Sequence, residues 1–234
     1  NNSAWYAFRV TAKTAKNIAL KLVYRDGTHR YRPWVSSDRE SWKNVDAKSY
    51  VVDPQASRAT LHVSVGPGSL WVAAQPLMTE KDLGEWTEKL AAKKFVKRSV
   101  IGHSVRGQEI ESFEISTRAS RNYVYIISRQ HPPEVTGHQG MMDAVDEICG
   151  DTELAGRFRD RFTTICVPLV NPDGVEDGNW RNNASGRDLN RDWGLFRQPE
   201  TKAVRDAMRA TLAADGARPF LFLDYHSTFN DMYF

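Results

Sequence analysis

Three polar clusters stand just past apolar runs of strand length. His131-Pro132-Pro133-Glu134 follows Tyr123 to Ser128, Asn171-Pro172-Asp173-Gly174 follows Thr163 to Val170, and His226-Ser227 follows Phe220 to Asp224. His131 and Glu134 are three residues apart, and on a turn entering a helix that spacing puts both side chains on one face. An imidazole nitrogen and a carboxylate oxygen suit zinc, and a catalytic zinc usually takes three protein ligands plus water. His226 is the best-placed third ligand. The competing reading makes each histidine a strand-end side chain hydrogen-bonded to backbone, and the three clusters alone leave both open.

The stretch from Asn171 to Trp193 adds weight to the metal reading. It carries Gly178-Asn179-Trp180-Arg181 and then Gly186-Arg187-Asp188-Leu189-Asn190-Arg191-Asp192-Trp193. Long irregular segments inside compact domains tend to be functional. Arginine holds a carboxylate through two parallel hydrogen bonds, and asparagine adds neutral donors. A zinc site beside such a cluster suits a substrate with a free carboxylate; a surface loop with solvated arginines is the alternative. Ser128 has neither a base nor a nucleophile-elbow context, so serine-hydrolase chemistry is not expected. His138, one helical turn beyond Glu134, is read as a helix-surface residue, and Ser227 as a group that orients substrate or the metal site.

The elements that must position these residues follow from periodicity. Residues 84–234 alternate strands (Val100-Ile101, Ile110 to Ile115, Tyr123 to Ile127, Thr163 to Val170, Phe220 to Tyr225) with helices. One helix runs through Trp86, Leu90 and Ala91, one over Gly137 to Ile148, and one over Glu200 to Ala214. That order predicts an α/β domain with a mixed, largely parallel central sheet. Ligands in such folds collect at the carboxyl ends of strands. Residues 1–75 read instead as a β-sandwich. Ile18, Leu20 and Leu22 alternate with Ala19, Lys21 and Val23, and Leu61, Val63 and Val65 alternate with His62 and Ser64. Tyr31, Trp34 and Trp42 are assigned to the sandwich core, a sugar-binding face being the alternative. A linker is expected over 76–83, although Thr79 with Asp82 resembles a helix start.

The ordered set His-x-x-Glu, Asn-Pro-Asp-Gly, Asn-Trp-Arg, Asp-Leu-Asn-Arg-x-Trp and Asp-x-His-Ser resembles the zinc carboxypeptidase family. Its wording is closest to the cytosolic carboxypeptidase-like branch, whose members carry an amino-terminal β-sandwich. Residues 1–75, with Trp5-Tyr6-Ala7-Phe8-Arg9-Val10 and Tyr31-Arg32-Pro33, are similar to that domain. The resemblance implies one zinc per chain, bound by His131, Glu134 and His226. It implies that Arg181 polarises the scissile carbonyl and that Asn190 and Arg191 grip the terminal carboxylate of a peptide or protein. A zinc-activated water would then cleave the C-terminal peptide bond.

The family also needs a general-base glutamate and a closing tyrosine well after the third ligand. Only Ser227 to Phe234 follow His226 here, with no glutamate among them, and Asp231 and Tyr233 lie too near it to match. The expectation is a catalytic domain represented by its amino-terminal portion, able to bind zinc but slow to hydrolyse peptide. Two rivals remain. One is an N-acyl amino acid amidohydrolase of the aspartoacylase and succinylglutamate desuccinylase type, which has a similar metal triad. The other is an inactive, zinc-free binding relative.

Composition narrows the setting. The 234 residues are 41% hydrophobic and 26% charged, an ordinary globular mix that excludes disorder and collagen. No apolar run approaches the ~18–20 residues of a membrane helix, so no membrane insertion is expected. The net charge of +3 does not announce a nucleic-acid partner. Residues 1–75 hold 11 Lys and Arg against 5 Asp and Glu, whereas the rest of the chain is net negative. That shift agrees with two units. Cys149 and Cys166 are read as buried thiols, pairing only if the chain is exported. The first residue is Asn1 rather than Met, which permits a cleaved signal, so the compartment is open between cytoplasmic and exported. The oligomeric state is not readable.

Overall fold

A computed structural model describes residues 4–25, 27–55 and 57–227. The chain divides into two compact units, Asn1–Leu77 and Met78–Phe234.

In the first unit the strands are β1 (Ala7–Ala12), β2 (Lys16–Val23), β3 (Trp34–Ser36), β4 (Lys43–Asn44), β5 (Tyr50–Asp53), β6 (Arg58–Val65) and β7 (Gly68–Ala73). They form a four-stranded sheet, β1-β7-β3-β4, and a three-stranded sheet, β2-β6-β5, with antiparallel pairing throughout. Val35 and Val72 of one sheet meet Leu61 of the other, with Val45 beside them. The alternation along β2 and β6 is the expected one: Ile18, Leu20 and Leu22 face inward and Ala19, Lys21 and Val23 outward. The aromatic assignment is corrected. Tyr31, Trp34 and Trp42 are only half-buried. Successive strand residues point to opposite faces, so Val35 in the core turns Trp34 away from it.

The second unit opens with α1 (Glu80–Ala91), whose first turn takes residues 80–83 that had been expected in the linker. The Thr79 amide and hydroxyl both donate to Asp82 Oδ2, each at 2.7 Å, and fix that start. Then come β8 (Val96–His103), β9 (Glu109–Ile115), β10 (Asn122–Ser128), α2 (Val135–Ile148), α3 (Glu153–Arg161), β11 (Thr163–Val167), the short α4 (Pro172–Glu176), α5 (Pro199–Leu212) and β12 (Arg218–Tyr225). The sheet order is β12-β10-β11-β9-β8. Its central strands run parallel, β10 with both β11 and β12. The β8–β9 hairpin is antiparallel and adds an antiparallel edge through β9 and β11, because a tight turn can only reverse the chain.

Helices cover both faces. Leu83, Trp86 and Leu90 of α1 and Met141 and Val145 of α2 pack on Phe113, Val124, Ile126 and Cys166. Ala203 and Val204 of α5 pack on Ile110, Ile127 and Val167 on the opposite side. Strand β10 is therefore apolar on both faces, as a central parallel strand should be. Cys149 at the end of α2 and Cys166 in β11 are both buried and free. Among the described residues no helix is long and apolar enough to cross a membrane.

Candidate metal centre

The three adjacent parallel strands β11, β10 and β12 end on the same edge of the sheet, and each delivers one polar cluster. Past β10 the chain turns through His131 and enters α2 with Glu134 as its N-cap. Past β12 it reaches His226 directly. Donor atoms of His131, Glu134 and His226 lie within 4.8 Å of one another.

Glu134 sits between the two imidazoles. Its Oε1 is 3.0 Å from His131 Nδ1 and its Oε2 is 2.6 Å from His226 Nδ1. Each imidazole then meets a second carboxylate through its other nitrogen: His131 Nε2 lies 3.0 Å from Asp188 Oδ1, and His226 Nε2 lies 3.0 Å from Asp224 Oδ2. With Nε2 held by an aspartate, each imidazole turns Nδ1 toward Glu134 and hydrogen-bonds its carboxylate. A bound metal would take the place of those Nδ1 protons, with the outer nitrogens still held by carboxylates as is usual for metal-binding histidines. Two imidazoles and one carboxylate converging in this way fit zinc.

Electrostatics match the geometry. Burial works against the charge of Glu134, but hydrogen bonds from His131 and His226 outweigh it and hold the carboxyl down at about 2. Burial likewise opposes a charged His226, yet hydrogen bonds to Asp224 and Glu134 push it up to about 10. Asp188 is lowered too: burial resists, and hydrogen bonds from His131 and Arg181 prevail.

The loop 171–193 reaches the same place by other means. Asn171, fully buried, accepts from the Gly174 amide at 3.0 Å and donates through Nδ2 to the Gln130 carbonyl at 3.0 Å, tying the end of β11 to the turn before His131. Arg181 donates through Nε to Asp188 Oδ2 at 2.6 Å, so Arg181 and His131 share one carboxylate. Asn190, in a short 3-10 turn over Leu189–Arg191, meets Asp188 through its backbone amide at 2.9 Å. Arg191 is exposed and donates to the Asn190 carbonyl.

The reading of His138 changes. His138 is fully buried rather than on the helix surface, with Nδ1 3.1 Å from Ser128 Oγ. The face of α2 that meets the sheet passes through it as well as through Met141 and Val145. Ser128 is thereby buried, consistent with its exclusion as a nucleophile. Ser227 ties β12 to α2: its Oγ accepts from the Gly137 amide at 2.9 Å and pairs with Thr136 Oγ1 at 2.7 Å. Asp188, Asp224 and Gln130 were given no role from sequence. The two aspartates do carry a readable signal, since each stands inside a motif next to a ligand or an arginine, where a carboxylate partner for a metal-binding histidine is expected.

Residues 83–233 match the family model for zinc carboxypeptidase. The chain belongs to the zinc carboxypeptidase family. An uncharacterized protein of Zymomonas mobilis is 27% identical over 238 residues, spanning 94% of this chain and 60% of that protein. Cytosolic carboxypeptidase 2 of Xenopus tropicalis is 39% identical over 98 residues, 41% of this chain and 10% of that protein. The crystal structure of a metallo-carboxypeptidase from Burkholderia cenocepacia superposes with a TM-score of 0.82 at 26% identity, over 96% of this chain and 61% of that one. The chain thus spans about three fifths of the length of the full-length relatives it matches along most of its sequence. The fold of both units is found within that one solved metallo-carboxypeptidase.

Proposed function

We propose that this site removes C-terminal residues from peptides or proteins, with one zinc held by His131, Glu134 and His226. The observation that carries the reading is the convergence of those three donors beside Arg181 at the carboxyl ends of parallel strands. Bound zinc would supply Lewis acidity and an acidified water for peptide hydrolysis. The chain's own residues would do the rest. Arg181, two-fifths exposed and anchored on Asp188, is available to neutralise charge developing on the scissile carbonyl oxygen, the oxyanion-hole role. Asn190 and the exposed Arg191 would hold the substrate's terminal carboxylate, a task suited to a planar guanidinium. Asp188 couples the two halves, since it orients both His131 and Arg181.

No glutamate follows His226 within the 234 residues. We propose accordingly that this polypeptide binds zinc while turning peptide over slowly by itself. Elemental analysis after purification without added metal should find one zinc per chain, lost in His226→Ala. Release of C-terminal amino acids should be slow for these 234 residues. A chain free of zinc points to the inactive-relative reading. Efficient hydrolysis of N-acyl amino acids with none of peptides points to the amidohydrolase. Rapid peptide turnover by the 234 residues, abolished by His131→Ala, would show that the base is already present.

A further inference from the structure

We infer that Asp224 is a positioning residue for His226, held in place by Gln130 and Trp193 so that the imidazole presents Nδ1 to the metal. The inference rests on the zinc reading of the triad.

The placement begins in β12. Asp224 and His226 are two residues apart, and side chains alternate along an extended chain. Leu223 and Tyr225 are both packed against the α1/α2 core. Asp224 and His226 are therefore free to meet each other away from that core, and they do so through Oδ2 and Nε2 at 3.0 Å. Backbone pairing of Asp224 with Ile127 of β10 fixes its position along the strand.

Its side chain is fixed separately. The same Oδ2 accepts from Gln130 Nε2 at 2.6 Å. Gln130 is fully buried and cannot turn its amide round, because its Oε1 accepts from Trp193 Nε1 at 2.7 Å. Its carbonyl is also held, by Asn171 Nδ2 at 3.0 Å. A chain of hydrogen bonds thus runs from Trp193 through Gln130 and Asp224 to His226, and it starts in the loop that carries Arg181.

The other oxygen gives the arrangement its meaning. Asp224 Oδ1 is buried with no hydrogen-bond partner among the described residues. A buried acceptor left without a donor is unfavourable for folding. A carboxylate kept for stability alone would be satisfied at both oxygens, as Asp173 is by Ser104, Arg106 and Gln108. Asp224 spends its satisfied oxygen on the imidazole and on the amide that holds it there. The site consequently has two carboxylate–histidine couples. In one, Asp188 is braced by the cation Arg181; in the other, Asp224 is braced by the neutral Gln130.

The test is zinc affinity of the 234-residue chain, measured by competition with a chromophoric chelator. Unfolding of each metal-free variant and the visible spectrum of its cobalt-substituted form are followed alongside. Asp224→Asn should weaken zinc by about 10- to 100-fold, the usual consequence of losing an outer partner of a ligand, and should shift the cobalt bands. Its metal-free unfolding midpoint serves as the control for folding, and zinc affinity with the cobalt bands decides the role. Gln130→Met should weaken zinc in the same direction by less, and it serves as the second probe should Asp224→Asn fold poorly. A Kd within about twofold of the parent in both variants, with His226→Ala still abolishing binding, would overturn the role of Asp224 and leave the triad intact. A lower unfolding midpoint with unchanged zinc affinity and cobalt spectrum would mean a merely structural carboxylate, also overturning it. Failure of the parent chain to bind zinc would remove the triad reading, and the role of Asp224 with it.

Discussion

The metal triad and the loop 171–193 arrive at one site but are held there differently. The triad hangs from the sheet: His131 and His226 follow β10 and β12 within a few residues, and the backbone pairing of those strands sets their separation. The loop has no sheet to hang from. It is held by side chains on buried carboxylates. Asp173, with no exposure, accepts Ser104 Oγ at 2.7 Å, the Arg106 amide at 3.0 Å and Gln108 Nε2 at 3.0 Å, all from the β8–β9 turn. Glu200, also fully buried, accepts the Val105 amide of that turn and Asn183 Nδ2. Asp192 accepts the Arg197 and Gln198 amides and bonds Thr201. A turn far from the metal in sequence thus braces the segment that carries Arg181 and Asp188. The lesson is that strand ends supply ligand geometry almost without further help, whereas a polar loop needs a set of individually satisfied buried acids.

The sharpest way to separate the two supports is to remove one brace. Asp173→Ala strands three donors, one of them a buried hydroxyl, and hydrogen bonds to charged groups are worth about 1.5–3 kcal/mol each. Allowing for relaxation, the chain should lose on the order of 3 kcal/mol in urea unfolding. Zinc stoichiometry should stay at one per chain, because the strands that carry His131 and His226 are untouched. Loss of zinc at saturating concentration in a folded Asp173→Ala variant would show that the loop and the triad are a single unit.

The same difference explains what could be read from the sequence. Apolar runs ending before His131, Asn171 and His226 announce strands, and parallel strands place their ends together, so a shared edge follows from pattern and order, whereas the metal role of His131, Glu134 and His226 was implied by the family resemblance. The inward alternation of Leu20, Leu61 and Val65 follows from the two-residue period of a strand. Asp173 and Glu200 look like surface acids in a sequence, because nothing local shows that a hairpin about 70 and 95 residues earlier donates to them. Trp34 misled for a related reason: aromatic content marks a strand, but only the partner sheet decides which face is inside. The same limit applied to His138, read as a helix-surface residue although it lies on the face of α2 that meets the sheet.

The sheet-borne side of the comparison has its own weak point at Gly137. A Cβ there would collide with the His226 carbonyl oxygen and lie 2.6 Å from its carbon, closer than real atoms approach. Only glycine lets the first turn of α2 pass this close to the end of β12. Gly137→Ala should force the backbone of His226 aside and lower stability by about 1–3 kcal/mol, the usual range for overpacking. Zinc affinity should fall with it, since a ligand moves. An unchanged zinc Kd in Gly137→Ala would show that the end of β12 yields without moving the imidazole, and that the strand end is a softer support than the braced loop.

The smallest effect probes what lies beneath the triad, where β10 and α2 meet. His138 Nδ1 pairs with Ser128 Oγ at 3.1 Å, while its Nε2 is buried without a partner among the described residues. Burial disfavours the charged ring, the neighbouring Arg129 cation adds to that, and together they push His138 down to about 3 from an ordinary value of 6.5. Between those values the unfolded chain binds a proton that the folded chain refuses. The sign therefore favours folding above pH 6.5 and turns against it as pH falls toward 3. The slope from this one group is at most about 1.4 kcal/mol per pH unit. His138→Gln keeps a polar group near Ser128 but cannot take up the proton, so it should flatten the loss of stability on acidification. Urea midpoints of parent and variant, compared at about pH 7.5 and about pH 5 in the metal-free state, measure the difference directly. Equal pH dependence in both would mean that the acid sensitivity of this face belongs to other groups, and that the packing under the triad tolerates an imidazolium at His138.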